Sequence, residues 1–171
     1  SGIETTPKEK SCEEKYSSFP LSMLDEQTKE QDLLTCLTNK AIDENNSSIC
    51  KETSDKSSCY SRYAISKSDD TFCKMVSEEG EYFCYYKIAR DRNDDSICDN
   101  LPEENHYGDS STCKFNVNLD IEVSEDNIEY CEIIGVQWRK DICYVKFAKK
   151  RLDESLCYNI KDDLNPITDC I

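Results

Sequence analysis

Apolar and polar positions along this chain recur in one line: cysteine, tyrosine, a variable position, a basic residue, an aliphatic or aromatic residue, alanine. The copies are Cys59-Tyr60-Ser61-Arg62-Tyr63-Ala64, Cys84-Tyr85-Tyr86-Lys87-Ile88-Ala89 and Cys143-Tyr144-Val145-Lys146-Phe147-Ala148. Each leads to a second cysteine fourteen residues on, Cys73, Cys98 or Cys157, with Asp69, Asp94 or Asp153 four places before it. Cys36 to Cys50 is a looser copy around Asn46, and Cys113 to Cys131 is a stretched one around Asn127. The chain's alanines are Ala41, Ala64, Ala89 and Ala148, and each stands five residues after a cysteine. The pattern is an internal repeat, and a repeat sets architecture before any single element does.

In the first segment of each copy the cysteine and positions +1, +4 and +5 share one face of a helix, while the basic residue at +3 points elsewhere. Alanine at +5 predicts close approach of a neighbouring element. In the second segment Asn46, Asp69, Asp94, Asn127 and Asp153 are drawn from the good N-cap residues. Asp70, Asp95 and Glu154 then add negative charge to the first turn. Apolar residues at −1 and +3 from the cysteine (Ile97 and Leu101, for example) again favour helix. The unit predicted is a longer helix, a capped turn, a shorter helix and a variable loop. Ser22, with Asp25 three residues on, precedes an amphipathic run through Leu24, Leu33, Leu34 and Leu37, which predicts a longer helix before the first regular unit. One stretch departs from helical periodicity. Phe115, Val117, Leu119, Ile121 and Val123 alternate with polar residues, and Asn118 stands where alanine does in the other copies, so an irregular helix end or an extended loop is expected there.

The fold class expected is therefore all-α: an array of short disulfide-stapled αα-hairpin repeats, an irregular solenoid or bundle. It is expected to form a single cysteine-rich domain over residues 12–171. Residues 1–11 are polar and are read as a mobile segment, which would serve as a tether if a membrane anchor lies upstream.

Composition explains why such repeats need staples. Hydrophobic residues make up 37% of the 171, but that share includes 12 Cys and 10 Tyr, and 33% of residues are charged. So little ordinary apolar matter would leave the chain near the disordered regime without cross-links. Each bridge contributes roughly 2–4 kcal/mol, mainly by restricting the unfolded chain. An even cysteine count at regular spacing points to an exported protein in an oxidising compartment, extracellular or at the cell surface.

Cysteines preceding the Tyr-x-basic line (Cys36, Cys59, Cys84, Cys113, Cys143 and Cys170) alternate strictly with those following Asp or Asn (Cys12, Cys50, Cys73, Cys98, Cys131 and Cys157). Two pairings respect this order. One joins Cys12–Cys36, Cys50–Cys59, Cys73–Cys84, Cys98–Cys113, Cys131–Cys143 and Cys157–Cys170, across the variable loops. The other joins each pair fourteen apart and leaves Cys12 to meet Cys170. The first keeps every bridge local and sets a cysteine on each arm of an antiparallel helix pair, so it is preferred. Structural zinc is the rival use of cysteine, but its close C-x2–4-C pairs are absent and His106 is the chain's one histidine.

The formal net charge of −15 makes nucleic acid a poor partner. The basic run Lys149-Lys150-Arg151 falls where a helix should end and reads as dipole compensation. No apolar run approaches the length of a membrane-spanning helix. A Ser-His-Asp or Cys-His centre would have to use His106, which lies in a polar loop with no nucleophile elbow, while the cysteines look committed to bridges. Asp91-Arg92-Asn93-Asp94-Asp95 lacks the Gly and terminal Glu of a calcium loop, and capping accounts for it better. Asn45 and Asn46 begin overlapping N-glycosylation sequons, a pattern common by chance. Neither a cofactor nor a metal is expected. Where the repeat breaks, His106, Tyr107, Glu122 and Trp138 are the candidate partner-binding residues, since insertions in repeat arrays often gather on a binding face.

On the C-Y-x-[KR]-Φ-A line and its paired cysteines, the span from Cys36 to Cys170 resembles short cysteine-rich helical repeat proteins predicted to be exported from archaea. In architecture it is also similar to disulfide-stapled Sel1-like αα repeats, although its units are shorter and nearly glycine-free. The resemblance implies a fold, not a function. The expected role is a non-enzymatic binding or structural module for a protein or cell-surface component. A secreted hydrolase or enzyme inhibitor with a site within residues 101–138 is the first alternative, and an acidic cation-binding protein the second.

Overall fold

The structure, a computed structural model, describes residues 12, 26–102, 105–161 and 170. The segment 1–11, and the capping residues Ser22 and Asp25 with Leu24, lie outside the described residues. Among those residues there are α-helices and 3₁₀-helices and no strand. In chain order they are α1 (Glu26–Asp43), η1 (Ser47–Glu52), α2 (Lys56–Lys67), η2 (Asp70–Met75), α3 (Glu78–Arg92), η3 (Asp95–Asn100), α4 (Ser110–Glu125), α5 (Glu129–Ile133), α6 (Gln137–Arg151) and η4 (Glu154–Asn159). The fold is all-α and stapled by disulfides. It comprises two compact units that divide between Cys84 and Tyr85, inside α3.

The cysteines pair across the variable loops: Cys12–Cys36, Cys50–Cys59, Cys73–Cys84, Cys98–Cys113, Cys131–Cys143 and Cys157–Cys170. Their Cα atoms stand 5.4 to 6.2 Å apart, within the range an unstrained bridge requires. No cysteine is left free. All of the paired sulfur residues except Cys36 are buried, so the bridges are themselves core.

Each long helix ends the same way. Asn45, Ser68, Asn93, Asp126 and Leu152 adopt left-handed backbone with φ between 49° and 62°. The next residue's N–H then reaches back to the carbonyl of Ala41, Ala64, Ala89, Glu122 or Ala148 at 2.9–3.0 Å. This is the six-to-one bond of a Schellman stop. It explains the alanines, which are at most 2% exposed and sit where the turn folds back over the helix. It also corrects the reading of the stretched copy. Glu122, not Asn118, takes the alanine's place, four residues later than the repeat would put it. Four residues are close to one helical turn, so the buried face keeps its direction.

The second segments differ from expectation in type. Four of them are 3₁₀ rather than α, and the caps show why. Asn46, Asp69, Asp94 and Asp153 each accept from the backbone N–H two residues on, at 3.0–3.1 Å, and from that residue's Ser or Thr hydroxyl at 2.6 Å. Asp55 and Asp109 instead accept from the N–H three residues on, Ser58 at 2.9 Å and Thr112 at 2.7 Å, and they head the α-helices α2 and α4. The shorter reach closes a tighter turn. Replacing Asp55 with Ala removes two of these bonds and is expected to lower stability by about 1 kcal/mol, read as a shift in urea midpoint at unchanged slope.

The stretch Phe115–Val123, expected to be an irregular helix end or extended loop, belongs to the regular helix α4. Its alternation comes from burial on two opposite faces. Cys113 and Val117, one turn apart, are fully buried on the side bridged to Cys98 of η3. Phe115 and Leu119 point the other way, into the cluster formed with Cys131, Cys143, Tyr144 and Phe147. A helix covered on both sides loses its polar stripe, and positions two apart become apolar. The first unit has the simpler core of Leu34, Leu37, Ala41, Ile49, Tyr60 and Tyr63 around their bridges.

Charged groups tie α4 to its neighbours in the second unit. Asp120 accepts from Lys146 and from the Tyr86 hydroxyl, with Arg90 at 3.9 Å. Lys150 donates to the carbonyls of Val123 and Ser124, and Arg151 bonds Asp126 at 2.8 Å. The basic run thus serves carbonyls at the end of α4 rather than only its own helix dipole. Glu132 accepts from the Tyr144 hydroxyl and from Lys140 at 3.0 Å. Burial, then the carboxylate partner, pushes the phenols of Tyr86 and Tyr144 up to about 12. These groups keep their proton in the folded state past the ordinary tyrosine value near 10, so their contribution is complete below pH ~10 and lost as pH rises through about 12. Spectrophotometric titration at 295 nm is expected to show late phenols, Tyr86 and Tyr144 among them, and replacing Asp120 with Asn and Glu132 with Gln should move these two only part of the way down, since burial, the larger cause, remains.

Candidate functional site

The four candidate residues are not gathered into one site. His106 and Tyr107 occupy the turn between η3 and α4, both exposed. That turn is organised by Asn105, which is 8% exposed and accepts the Tyr107 N–H at 2.9 Å, and by Gly108, whose φ of 150° suits a residue without a side chain. Glu122 lies near the opposite end of α4, about 18 Å along the axis from Ser110 at 1.5 Å per residue. Its carboxylate accepts from the Asn127 amide at 2.6 Å, so Glu122 works in the helix stop rather than in a site.

Trp138 is different. It sits in the first turn of α6, 46% exposed, and meets Phe115 edge-on with ring centroids 6.2 Å apart. The Arg139 guanidinium lies 4.9 Å from the Phe115 ring centre and 5.1 Å from that of Trp138, with its terminal nitrogen on the Ser111 hydroxyl at 3.0 Å. The indole is thereby held against α4 by one edge, and the rest faces solvent. Ile142, one turn further along α6, is 39% exposed, and Val136 and Ile133 just before the helix are 46% and 78% exposed. Together they make an apolar strip that the helix does not bury. Sequence reasoning found Trp138 and missed the other three. The signal was Trp138, Ile142 and Val145 at i, i+4 and i+7, a second apolar row beside the buried Cys143, Tyr144, Phe147 and Ala148.

Beneath this strip Asp141, 3% exposed, accepts from the Gln137 amide at 2.7 Å and from the Lys161 N–H at 3.2 Å. It fixes the start of α6 against the chain leaving η4. The geometry offers a rigid aromatic and aliphatic surface with a guanidinium beside it, suited to contact rather than to proton or group transfer. Clefts of about 330 and 620 Å³ are found in the first unit. They are lined around Ser57 and Phe83 and around Leu33 and Leu37, and neither His106 nor Trp138 takes part. Among the described residues no group of three or more His, Cys, Asp or Glu is placed to hold a metal ion. None of the helices is long and apolar enough to cross a membrane, again among the described residues. Comparison with known proteins gave no matching family model, no similar curated protein and no similar solved structure.

Proposed function

We propose that this chain is a binding module of the extracellular space or cell surface that works by contact rather than catalysis. Its partner is a protein or cell-surface component, and the exposed strip around Trp138 forms the centre of the contact. The observation that supports this most is the half-exposed indole pinned against Phe115 beside Arg139: aromatic and Arg residues on a rigid element are the side chains that carry most interface energy. The net charge of −15 favours a basic partner and speeds its encounter. Six bridges with no spare thiol fit an oxidising compartment.

Trp138 is the chain's one tryptophan, so its fluorescence reports on this surface alone. Purified partner candidates from the source's surface fraction are expected to shift the emission to the blue. Replacing Ile142 with Ser is expected to weaken binding at least tenfold while leaving the melting temperature within a few degrees. A partner that binds equally well to Ile142→Ser and Trp138→Ala variants would remove this surface from the reading. In-cell thiol labelling tests the compartment separately, since reduced cysteines in protein quenched directly from the source would contradict export.

A further inference from the structure

We infer that Asn45 is a modification site whose side-chain amide carries an N-linked oligosaccharide, and that the overlapping sequon at Asn46 is a by-product of helix capping. The inference rests on the export reading above. Asn45-Asn46-Ser47 and Asn46-Ser47-Ser48 both have the form Asn-x-Ser that N-linked transfer requires, and the chain has no other such site. Sequons arise readily by chance, so each residue is set against what the fold already demands of it.

Three of the four residues are explained by the backbone. Asn45 has φ 49° at the end of α1, a conformation in which Asn is favoured. Asn46 caps η1, its Oδ1 accepting the Ser48 N–H at 3.1 Å and the Ser48 hydroxyl at 2.6 Å. Thr71, Ser96 and Ser155 hold the place of Ser48 in the other capped 3₁₀ turns, and their hydroxyls donate to Asp69, Asp94 and Asp153 in the same way. The Asn46 sequon is thus what a cap written as Asn rather than Asp produces. Ser47 has no such explanation. The residue directly after the cap is Asp70, Asp95 or Glu154 in the other three turns, where negative charge is favourable beside the free N–H groups. The first turn of η1 has no acidic residue, and the Ser47 hydroxyl bonds no described residue. What Ser47 does supply is the hydroxyl two places after Asn45.

The geometry at Asn45 accommodates a sugar. The residue is exposed on the turn between α1 and η1. Its Oδ1 accepts from the Tyr63 hydroxyl at 3.3 Å, and no described residue accepts from its Nδ2. A sugar on Nδ2 leaves that oxygen in place. The helix stop is made by the backbone N–H groups of Asn45 and Asn46 on the carbonyls of Ile42 and Ala41, so it is untouched as well. In the transfer, Nδ2 attacks the anomeric carbon of an oligosaccharide linked to a polyprenyl phosphate. The C1–N bond forms and the C1–O bond breaks. The phosphate leaves with the electron pair and the amide gives up one proton, with no oxidation or reduction.

The test is glycopeptide mass spectrometry of the protein isolated from its source. After reduction and alkylation, trypsin releases residues 41–51 as one peptide, bounded by Lys40 and Lys51. Electron-transfer fragmentation, which leaves sugars attached, is expected to place a saccharide increment on Asn45 in most molecules and none on Asn46. Two variants keep the turn. Ser47→Asp gives η1 the kind of residue the other copies use there, and is expected to abolish the increment with helical circular dichroism unchanged. Asn46→Asp gives η1 the cap of the other copies, leaves the Asn45 sequon complete, and is expected to retain the increment. A bare Asn45, sugar on Asn46, or an increment that survives Ser47→Asp would each overturn the inference. Alkylation before reduction, on the same sample, separates this reading from the one beneath it. Bridged cysteines with a bare Asn45 remove the site alone, whereas free cysteines with a bare Asn45 remove export as well.

Discussion

Complete reduction of the oxidised protein at 25 °C should abolish most of its helical circular dichroism at 222 nm. The expectation follows from the size of two opposing quantities. Net stability of a domain is about 5–15 kcal/mol. Six bridges closing loops with sequence separations of 9 to 24 residues each contribute roughly 2–4 kcal/mol, and even with poor additivity their sum matches or exceeds that net figure. Nothing else can take their place. The long helices run from 12 to 18 residues and hold at most one alanine each, whereas even Ala-rich isolated helices are marginal in water below about 12–15 residues. The 3₁₀ segments have six residues each and depend on the cysteine at their centre. Reoxidation should restore the signal. A reduced chain that keeps its full helical signal would mean that packing alone suffices.

The second large effect is expected from Phe147→Ala. Phe147 is fully buried in the second unit, on the face of α6 that meets Phe115 and Leu119 of α4. Truncating a buried Phe costs about 3–5 kcal/mol when the surroundings cannot collapse into the space. Here they cannot readily do so, because Cys143 is bridged to Cys131 and Cys157 to Cys170, and both bridges border the same cluster. Urea unfolding of the oxidised variant should show a midpoint lowered by an amount in that range, at a slope close to the parent's. The neighbouring Leu152, whose side chain is almost entirely solvated, should tolerate Asn with no such loss. The contrast between residues five apart separates a position inside the packed cluster from one that is solvated.

Much of this was legible in the residues. Cysteine and alanine at fixed offsets gave the repeat, and Asp or Asn four before the second cysteine gave the caps except at Asn127, whose amide donates to Glu122 while Ile128 opens α5 without a side-chain cap. The type of helix those caps begin was written more finely than cap identity alone conveys. Ser or Thr stands two residues after the cap in both kinds, and the third residue differs: it is apolar before a 3₁₀ turn, as Phe72 after Asp69, and Ser or Thr before α, as Ser58 after Asp55 and Thr112 after Asp109. The helix stops were visible only through the alanines, since a left-handed residue has no single signature: Asn, Ser, Asp and Leu all fill that position. α4 was misread because periodicity reports burial, and a helix buried on opposite faces shows a period near two. Trp138 was found by its rarity, but the strip around it depends on where α6 leaves its packed face, which neighbours decide and local sequence does not.

The most direct test of the claim that each bridge staples one helical segment to the next is a disulfide map of the unreduced protein. It requires digestion at acid pH, where thiolate exchange is suppressed, and mass spectrometry of the linked peptides. The account predicts peptides that join Cys50 to Cys59, Cys73 to Cys84, Cys98 to Cys113 and Cys131 to Cys143, with Cys12 on Cys36 and Cys157 on Cys170. Peptides joining Cys59 to Cys73 or Cys84 to Cys98, or alkylated free cysteines in the native protein, would contradict it.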